Sequence, residues 1–240
     1  MIFQNLLLER IIVVAIGQSW PIIYLSIFAY KLLKRTKNRS TITLSTFFLL
    51  LASAYLFAFF SIFAINTPFS YFLYIITWYL YMFSHYFFIL FTWLLLHIEE
   101  SVSLKKYHMF MVLYGIIMAI IIWIGIFNGG IRYDETTSWR PLFSWSFAII
   151  NWLYITFFLV LPELLMSFKL VKIFKGSKVV IRIKLFLVSS FLEYVLISLV
   201  VLYNMLPDNH GYRSIHIYIG LPLGMLAAYF IYRSFGKNIE

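Results

Sequence analysis

Two glutamates lie inside long apolar stretches, where an unpaired carboxylate is energetically unfavourable. Glu193 lies in SSFLEYV (189–195), nine residues after Lys184 and eleven before Asn204. If this stretch is a membrane helix, Glu193 lies near the middle of the bilayer, where an unpaired charge is costly. Such a carboxylate is protonated, paired or next to a water-filled cavity, and each state suits the binding of a proton or a ligand. Glu193 is therefore the first candidate functional residue.

A histidine lies at a similar depth in another apolar stretch. His85 is about 21 Å along a helix from Tyr71 and about 18 Å from His97. Depth alone predicts that His85 and Glu193 meet across two helices and form a proton-sensitive pair, because histidine titrates near neutral pH. A His85 that only hydrogen-bonds a neighbouring hydroxyl is the open alternative.

The second intramembrane carboxylate directly follows a proline in FLVLPELLMSFKLVKIFK (158–175). Glu163 lies six residues before Lys169, about 9 Å along a helix, so we expect it to reach the membrane interface or a neighbouring lysine. Pro162 removes one backbone hydrogen bond from its helix and predicts a hinge, as Pro21 does earlier in the chain. Such bends either open a cavity between helices or improve their packing.

Uncharged polar and aromatic side chains add further candidates. Gln18 and Asn151 are expected in the outer half of the membrane, as interhelical hydrogen-bonding groups or as ligand contacts. One stretch, residues 69–93, holds thirteen aromatics in twenty-five residues. Its central rings either line a pocket for a flat apolar ligand or pack against lipid and neighbouring helices. These central rings include Trp78, Tyr79, Tyr81 and Phe83.

The composition of the chain is that of a membrane protein. Of 240 residues, 63% are hydrophobic and only 12% are charged, whereas about a quarter of an average soluble domain is charged. A helix of about 20 mostly apolar residues crosses a bilayer. Seven stretches meet this requirement and predict an all-α, seven-transmembrane bundle that forms one domain over residues 1–240. The predicted spans are roughly 11–31, 41–65, 70–97, 107–128, 144–168, 183–204 and 214–235.

Basic residues are distributed unevenly between the two sides of the predicted bundle. The loops after spans 1, 3 and 5 and the C-terminal tail hold five, two, six and two of the 19 lysines and arginines. The other side holds Arg10, Arg132, Arg140 and Arg213. Because lysine-rich loops stay in the cytoplasm, the N-terminus is predicted outside and the C-terminus inside. The net charge of +10 then reflects this bias and contact with anionic lipid, and no nucleic-acid partner is expected.

Two parts of the chain share a short pattern. A shift of 141 residues aligns Pro21 with Pro162, and both stretches read Pro-x4-Ser-x4-Lys-x2-Lys. The pattern suggests that spans 1–3 and 5–7 form two parallel halves joined by span 4, a 3+1+3 arrangement known in transporters. The alternative is coincidence, because both stretches end on the basic side and only the proline and serine pairs are independent matches.

The sequence lacks the residues that several classes of function require. Without cysteine there is no disulfide or thiolate metal site, and no HExxH, GxSxG or phosphate-loop motif occurs. The histidines do not supply a mid-membrane pair on two helices, as a bundle haem would need. The predicted topology is comparable to that of microbial rhodopsins, but the last span (215–232) lacks the lysine that carries retinal there. We expect no metal, no cofactor and no enzymatic activity.

The sequence therefore favours a sensor or receptor-like protein, integral to the cell membrane, that binds a small apolar ligand or protons. Because the loops between spans are short, such a protein would act through a separate cytoplasmic or membrane partner. Two alternatives stay open: a small 3+1+3 transporter and an accessory subunit of a larger membrane complex. A transporter requires a polar cavity reaching Gln18 and Glu193, a receptor a one-sided pocket, and an accessory subunit a solid interior.

Overall fold

The computed structural model describes residues 2–35, 37–65, 67–97, 102–137 and 139–236, and only the backbone at residues 2–16, 18 and 236. Most of these residues are helical. The α-helices are α1 (Ile2–Arg35), α2 (Arg39–Phe63), α3 (Pro68–Leu96), α4 (Leu104–Phe127), α5 (Trp145–Tyr154), α6 (Leu161–Ile173), α7 (Val179–Met205), α8 (His210–Ile215) and α9 (Leu221–Gly236). Two π-helical turns, Ile155–Val160 and His216–Gly220, join α5 to α6 and α8 to α9. Each of these pairs therefore runs as one continuous helical unit.

Among the described residues, six helical units are long and apolar enough to cross a membrane: α2, α3, α4, α5–α6, α7 and α8–α9. Large apolar side chains remain exposed on their outer faces, for example Val112, Ile116 and Ile120 along α4. A soluble protein rarely leaves such a continuous apolar surface in water, whereas a bilayer requires one. The chain is therefore an all-helical, multi-pass membrane protein whose outer surface contacts lipid.

Each of the six units contains one of the predicted spans, with ends that differ by a few residues. The remaining predicted span, 11–31, lies within α1, where many of the side chains fall outside the described residues. The seventh span and the orientation of the bundle therefore stay predictions.

The two ends of the bundle differ in structure and in charge. At one end, β1 (Ile131–Arg132) and β2 (Leu142–Phe143) pair antiparallel around the 3-10 turn Glu135–Thr137. This end, which also holds the α2–α3 and α7–α8 connections, is named the hairpin end. The opposite end, named the lysine-rich end, holds the α1–α2, α3–α4 and α6–α7 connections. In the predicted orientation the hairpin end faces the outside.

The α3 helix is the most buried of the six units. Its buried residues include Met82, Phe87 and Phe88. The Phe88 ring lies 4.1 Å from the Phe47 ring of α2 and 5.7 Å from the Phe186 ring of α7, centroid to centroid. Much of the aromatic stretch of span 3 therefore packs inside the bundle, where each ring buries a large apolar area.

Helix starts follow local signals in the sequence. The side chains of Asn38, Ser103, Ser144 and Asn209 each accept a hydrogen bond from the backbone N–H three residues later, at 2.8–3.4 Å. These contacts satisfy N–H groups that a helix cannot pair internally. Pro68 begins α3, at a position where its missing N–H costs nothing.

Both π-helical turns end directly before a leucine-proline pair, Leu161-Pro162 and Leu221-Pro222. Proline has no N–H, so the carbonyl four residues earlier loses its helical partner and the local winding relaxes. At Pro162 this carbonyl belongs to Phe158, and the Tyr114 hydroxyl of α4 donates to it at 3.2 Å. By contrast, α1 runs through Pro21 as an uninterrupted α-helix, so the aligned prolines differ in local conformation.

Candidate functional site

A cavity of about 480 Å³ opens at the hairpin end of the bundle. Residues of α2, α3, α7, α8 and the hairpin line it. Its volume and its mixture of apolar, aromatic and a few polar side chains are typical of small-molecule sites. This space is named the hairpin-end cavity, and its wall includes Ala58, Trp78, Tyr81, Arg140, Val200 and Arg213.

A smaller pocket of about 40 Å³ lies deeper in the bundle and has Glu193 in its wall. It is named the Glu193 pocket. On α2, the lining of the two spaces runs from Ile62 to Leu51, which is about 17 Å along the helix axis. The cavity therefore leads from the hairpin end toward Glu193. Five residues line both spaces: Tyr55, Tyr81, Val200, His216 and Leu221.

The structure brings Glu193 of α7 next to His85 of α3. Glu193 is 4% exposed and His85 is fully buried, and Oε2 of Glu193 lies 3.9 Å from Nε2 of His85. Nδ1 of His85 lies 2.8 Å from the Tyr81 carbonyl oxygen and 3.1 Å from Oγ of Ser84. Because a carbonyl oxygen only accepts, Nδ1 carries the proton of the neutral ring and Nε2 presents its lone pair to Glu193.

The contact between Glu193 and His85 is incomplete. At 3.9 Å it is too long for a hydrogen bond, and Nε2 has no hydrogen-bond partner among the described residues. Buried polar atoms are ordinarily satisfied, so an orphaned ring nitrogen beside a carboxyl group is unusual. One proton between the two groups would complete the contact, either as a hydrogen bond from a neutral carboxyl or as an ion pair with a charged ring.

The other buried carboxylate, Glu163, is fully engaged. It is 1% exposed, Ser190 donates to its Oε1 at 2.5 Å, and the Tyr194 hydroxyl donates to its Oε2. Glu163 therefore binds two hydroxyls of α7, whereas the sequence led us to expect contact with the interface or a lysine. The Tyr194 ring also lies 6.1 Å from the His85 ring, so the surroundings of Glu163 and Glu193 adjoin.

The remaining sequence candidates divide between packing and the cavity. Trp78 Nε1 donates to Oδ1 of Asn151 at 3.2 Å, and Nδ2 of Asn151 donates to the Phe147 carbonyl at 2.8 Å. Asn151 thus links α3 to α5, while Trp78 and Tyr81 also line the hairpin-end cavity. The side chain of Gln18 lies outside the described residues.

Two arginines in the cavity wall were not among the sequence candidates. Arg140 precedes β2, and Arg213 lies in α8. The Arg213 guanidinium stacks over the Tyr203 ring at 3.9 Å and donates to the Tyr203 hydroxyl at 2.7 Å. In the sequence these arginines stand out only as two of the four basic residues on the sparsely charged side.

Comparisons of the chain with protein-family models and with curated proteins gave no match. Within the described part of the chain, no group of three or more histidine, aspartate or glutamate side chains is placed to hold a metal ion. The candidate functional features of the described residues are the hairpin-end cavity, the arginines in its wall and the buried pair Glu193–His85.

Proposed function

We propose that the chain is a sensor or receptor-like protein of the cell membrane that binds a small amphipathic molecule in the hairpin-end cavity. The observation that carries this proposal is the cavity itself, whose volume of about 480 Å³ and largely apolar and aromatic wall suit a small ligand. In the predicted orientation the ligand enters from outside or from the outer leaflet. An accessory subunit with a solid interior would not need such a space.

The Glu193–His85 pair links the cavity to the centre of the bundle. The Glu193 pocket adjoins the cavity, so a ligand that displaces water there changes the surroundings of the carboxyl group. The helices that carry the pair, α3 and α7, both continue to the lysine-rich end. A shift in their packing would reach the loops where a cytoplasmic partner binds, and protons would modulate the same pair.

A covalent occupant tests this proposal without a known ligand. Because the chain has no cysteine, Ala58→Cys places a single thiol in the cavity wall. Reaction with a hexyl thiosulfonate fills the cavity, and hydrogen exchange in lipid nanodiscs should then change at residues 174–184 of the lysine-rich end. Leu56→Cys, on an exposed side chain of the same helix, is the matched control and should leave exchange there unchanged. Equal exchange patterns in both tethered proteins would contradict the proposal.

One observation favours a second candidate, a proton-coupled transporter. The π-helical turn His216–Gly220 contributes His216 and Gly220 to the wall of the Glu193 pocket. A π turn before a proline is a natural bending point, and bending here could open the pocket toward the lysine-rich end. Proteoliposomes with a luminal pH dye separate the candidates. Glu193-dependent proton uptake supports a transporter, whereas conformational change without uptake supports a sensor.

A further inference from the structure

The charged side chains in the wall of the hairpin-end cavity are both arginines. Arg213 is fixed against Tyr203 by a hydrogen bond and by ring stacking. The guanidinium of Arg140 is half-buried and, within the described part of the chain, has no hydrogen-bond or ion-pair partner. His210, in the first turn of α8, adds a further N–H donor to the same wall. The mouth of the cavity is therefore cationic.

No described carboxylate lines the wall of the cavity, and Arg140 has no ion-pair partner among the described residues. Of the two acidic residues of the hairpin turn, Glu135 is exposed and lies outside the cavity wall, and Asp134 accepts hydrogen bonds from Oγ1 of Thr136 and from the backbone N–H of Thr137. These hydrogen bonds hold the pKa of Asp134 below its usual value, and the bond from the Thr136 side chain contributes most to this lowering. The Asp134 carboxylate is thus hydrogen-bonded within its own turn. Positive charge beside a partly desolvated space is stabilised when an anion enters that space.

Below the arginines the wall of the cavity becomes apolar. From Ile62 to Ala54 the lining of α2 extends about 12 Å, and Ala58, Val200 and Leu221 contribute aliphatic surface. The far end approaches Glu193, whose carboxyl group disfavours a second anionic group at that depth. The cavity thus changes from a cationic mouth to an apolar interior. A ligand that matches this change enters with its apolar chain first and leaves its polar head at the arginines.

We infer that the hairpin-end cavity is a binding site for a single-chain amphiphile with an anionic head, a carboxylate or a phosphate, which Arg140 and Arg213 bind while the chain lies along α2. This inference rests on the proposed function and names its ligand class. Arginine suits the role because its planar guanidinium donates two parallel hydrogen bonds to either anion.

The test uses the whole chain in phosphatidylcholine nanodiscs. A brominated dodecanoate quenches tryptophan fluorescence on contact, and Trp78 lies in the cavity wall. Dodecyl phosphate, dodecanol and dodecyltrimethylammonium then compete for the site at equal mole fractions in the disc. We expect dodecyl phosphate to displace the probe at a concentration at least about tenfold lower than dodecanol, and the cationic compound not to displace it.

Three arginine variants locate the anion. Arg140→Gln and Arg213→Gln should each weaken dodecyl phosphate binding about tenfold, the size of one charge-assisted hydrogen bond, and leave dodecanol binding unchanged. Arg132→Gln removes the same charge from an exposed position on β1 outside the cavity wall and should have little effect. If Arg213→Gln fails to fold because Arg213 also holds Tyr203, Arg140→Gln decides the test.

The outcomes separate this inference from the proposed function. Equal displacement by dodecanol and dodecyl phosphate, or equal effects of Arg140→Gln and Arg132→Gln, would show that the site does not recognise an anionic head group. The proposal that the cavity binds a ligand would then still stand. Absence of quenching by the brominated probe would overturn both proposals. If inorganic phosphate displaced the probe at the same concentration as dodecyl phosphate, the apolar chain would not contribute to binding, and the inference that the ligand is an amphiphile would be wrong. Competition from lysophosphatidylglycerol, a lipid with one acyl chain and an anionic head, supports a membrane lipid as the source of the ligand, and its absence supports a free amphiphile.

Discussion

At the scale of single residues, the two buried carboxylates differ in how completely they are hydrogen-bonded. Glu163 accepts from two hydroxyls of α7, whereas Glu193 faces a ring nitrogen at 3.9 Å and adjoins a cavity. A fully satisfied network stabilises one conformation, while an incomplete contact leaves room for a proton or a new partner. We therefore assign a structural role to Glu163 and propose a sensing role for Glu193.

If one proton completes the contact between Glu193 and His85, the structure of the protein responds to pH. We expect hydrogen exchange at residues 174–184 in nanodiscs to differ between about pH 5 and pH 8, and Glu193→Gln to abolish the difference. Glu135→Gln, an exposed acidic residue of the hairpin turn, is the matched control and should keep it.

Other titratable groups share the Glu193 pocket, namely Tyr24, Tyr55, Tyr81 and His216. Of these only His216 ordinarily titrates in this pH range, so His216→Gln is measured alongside. A pH response that survives in Glu193→Gln and disappears in His216→Gln would move the sensing role to His216.

The contacts of Glu163 predict a loss of stability. Tyr194→Phe leaves one oxygen of a buried carboxylate without its donor and should lower the free energy of unfolding by about 1–3 kcal/mol, the penalty of an unsatisfied buried group. Detergent-induced unfolding in mixed micelles measures this change. Ser189→Ala removes a hydroxyl that donates to its own helix at Leu185 and should cost far less. Equal losses in the two variants would show that Glu163 does not depend on Tyr194.

At the scale of the helices, apolar runs in the sequence predicted the spans, because this signal is local, whereas the capping residues at the helix starts were recognised only in the structure. The π-helical turns were harder to predict. The dipeptide Leu-Pro marks both, but the same reasoning predicts a hinge at Pro21, where α1 is uninterrupted. What distinguishes Pro162 is a neighbour on another helix, the Tyr114 hydroxyl that binds the released Phe158 carbonyl. Such a partner depends on packing and has no local signal.

A double-mutant cycle measures this compensation. Tyr114→Phe should destabilise the bundle by about 1 kcal/mol, the usual net contribution of one hydrogen bond. Pro162→Ala restores a backbone N–H to α6, so Tyr114→Phe should cost much less in that background. The unfolding free energies of the four proteins give the coupling energy, and a coupling of zero would mean that the Tyr114 hydroxyl does not compensate for the proline.

At the scale of the whole molecule, sequence reasoning reached the class of multi-pass membrane protein. Equal depth led us to pair Glu193 with His85, and the structure places them 3.9 Å apart. Depth does not reveal which face of a helix meets which neighbour. The contact of Glu163 with Ser190 and the shared cavity of Arg140 and Arg213 therefore required the three-dimensional arrangement. The cavity itself depends on how several helices diverge at the hairpin end.

The central claim is that a water-accessible ligand cavity opens at the hairpin end. Thiol accessibility tests this claim most directly. In proteoliposomes of known orientation, Ala58→Cys should react with a charged, membrane-impermeant thiosulfonate from the hairpin side and not from the lysine-rich side. Leu56→Cys, whose side chain is exposed outside the cavity wall and faces lipid, should not react from either side. An unreactive Ala58→Cys, or equal rates from both sides, would contradict the account.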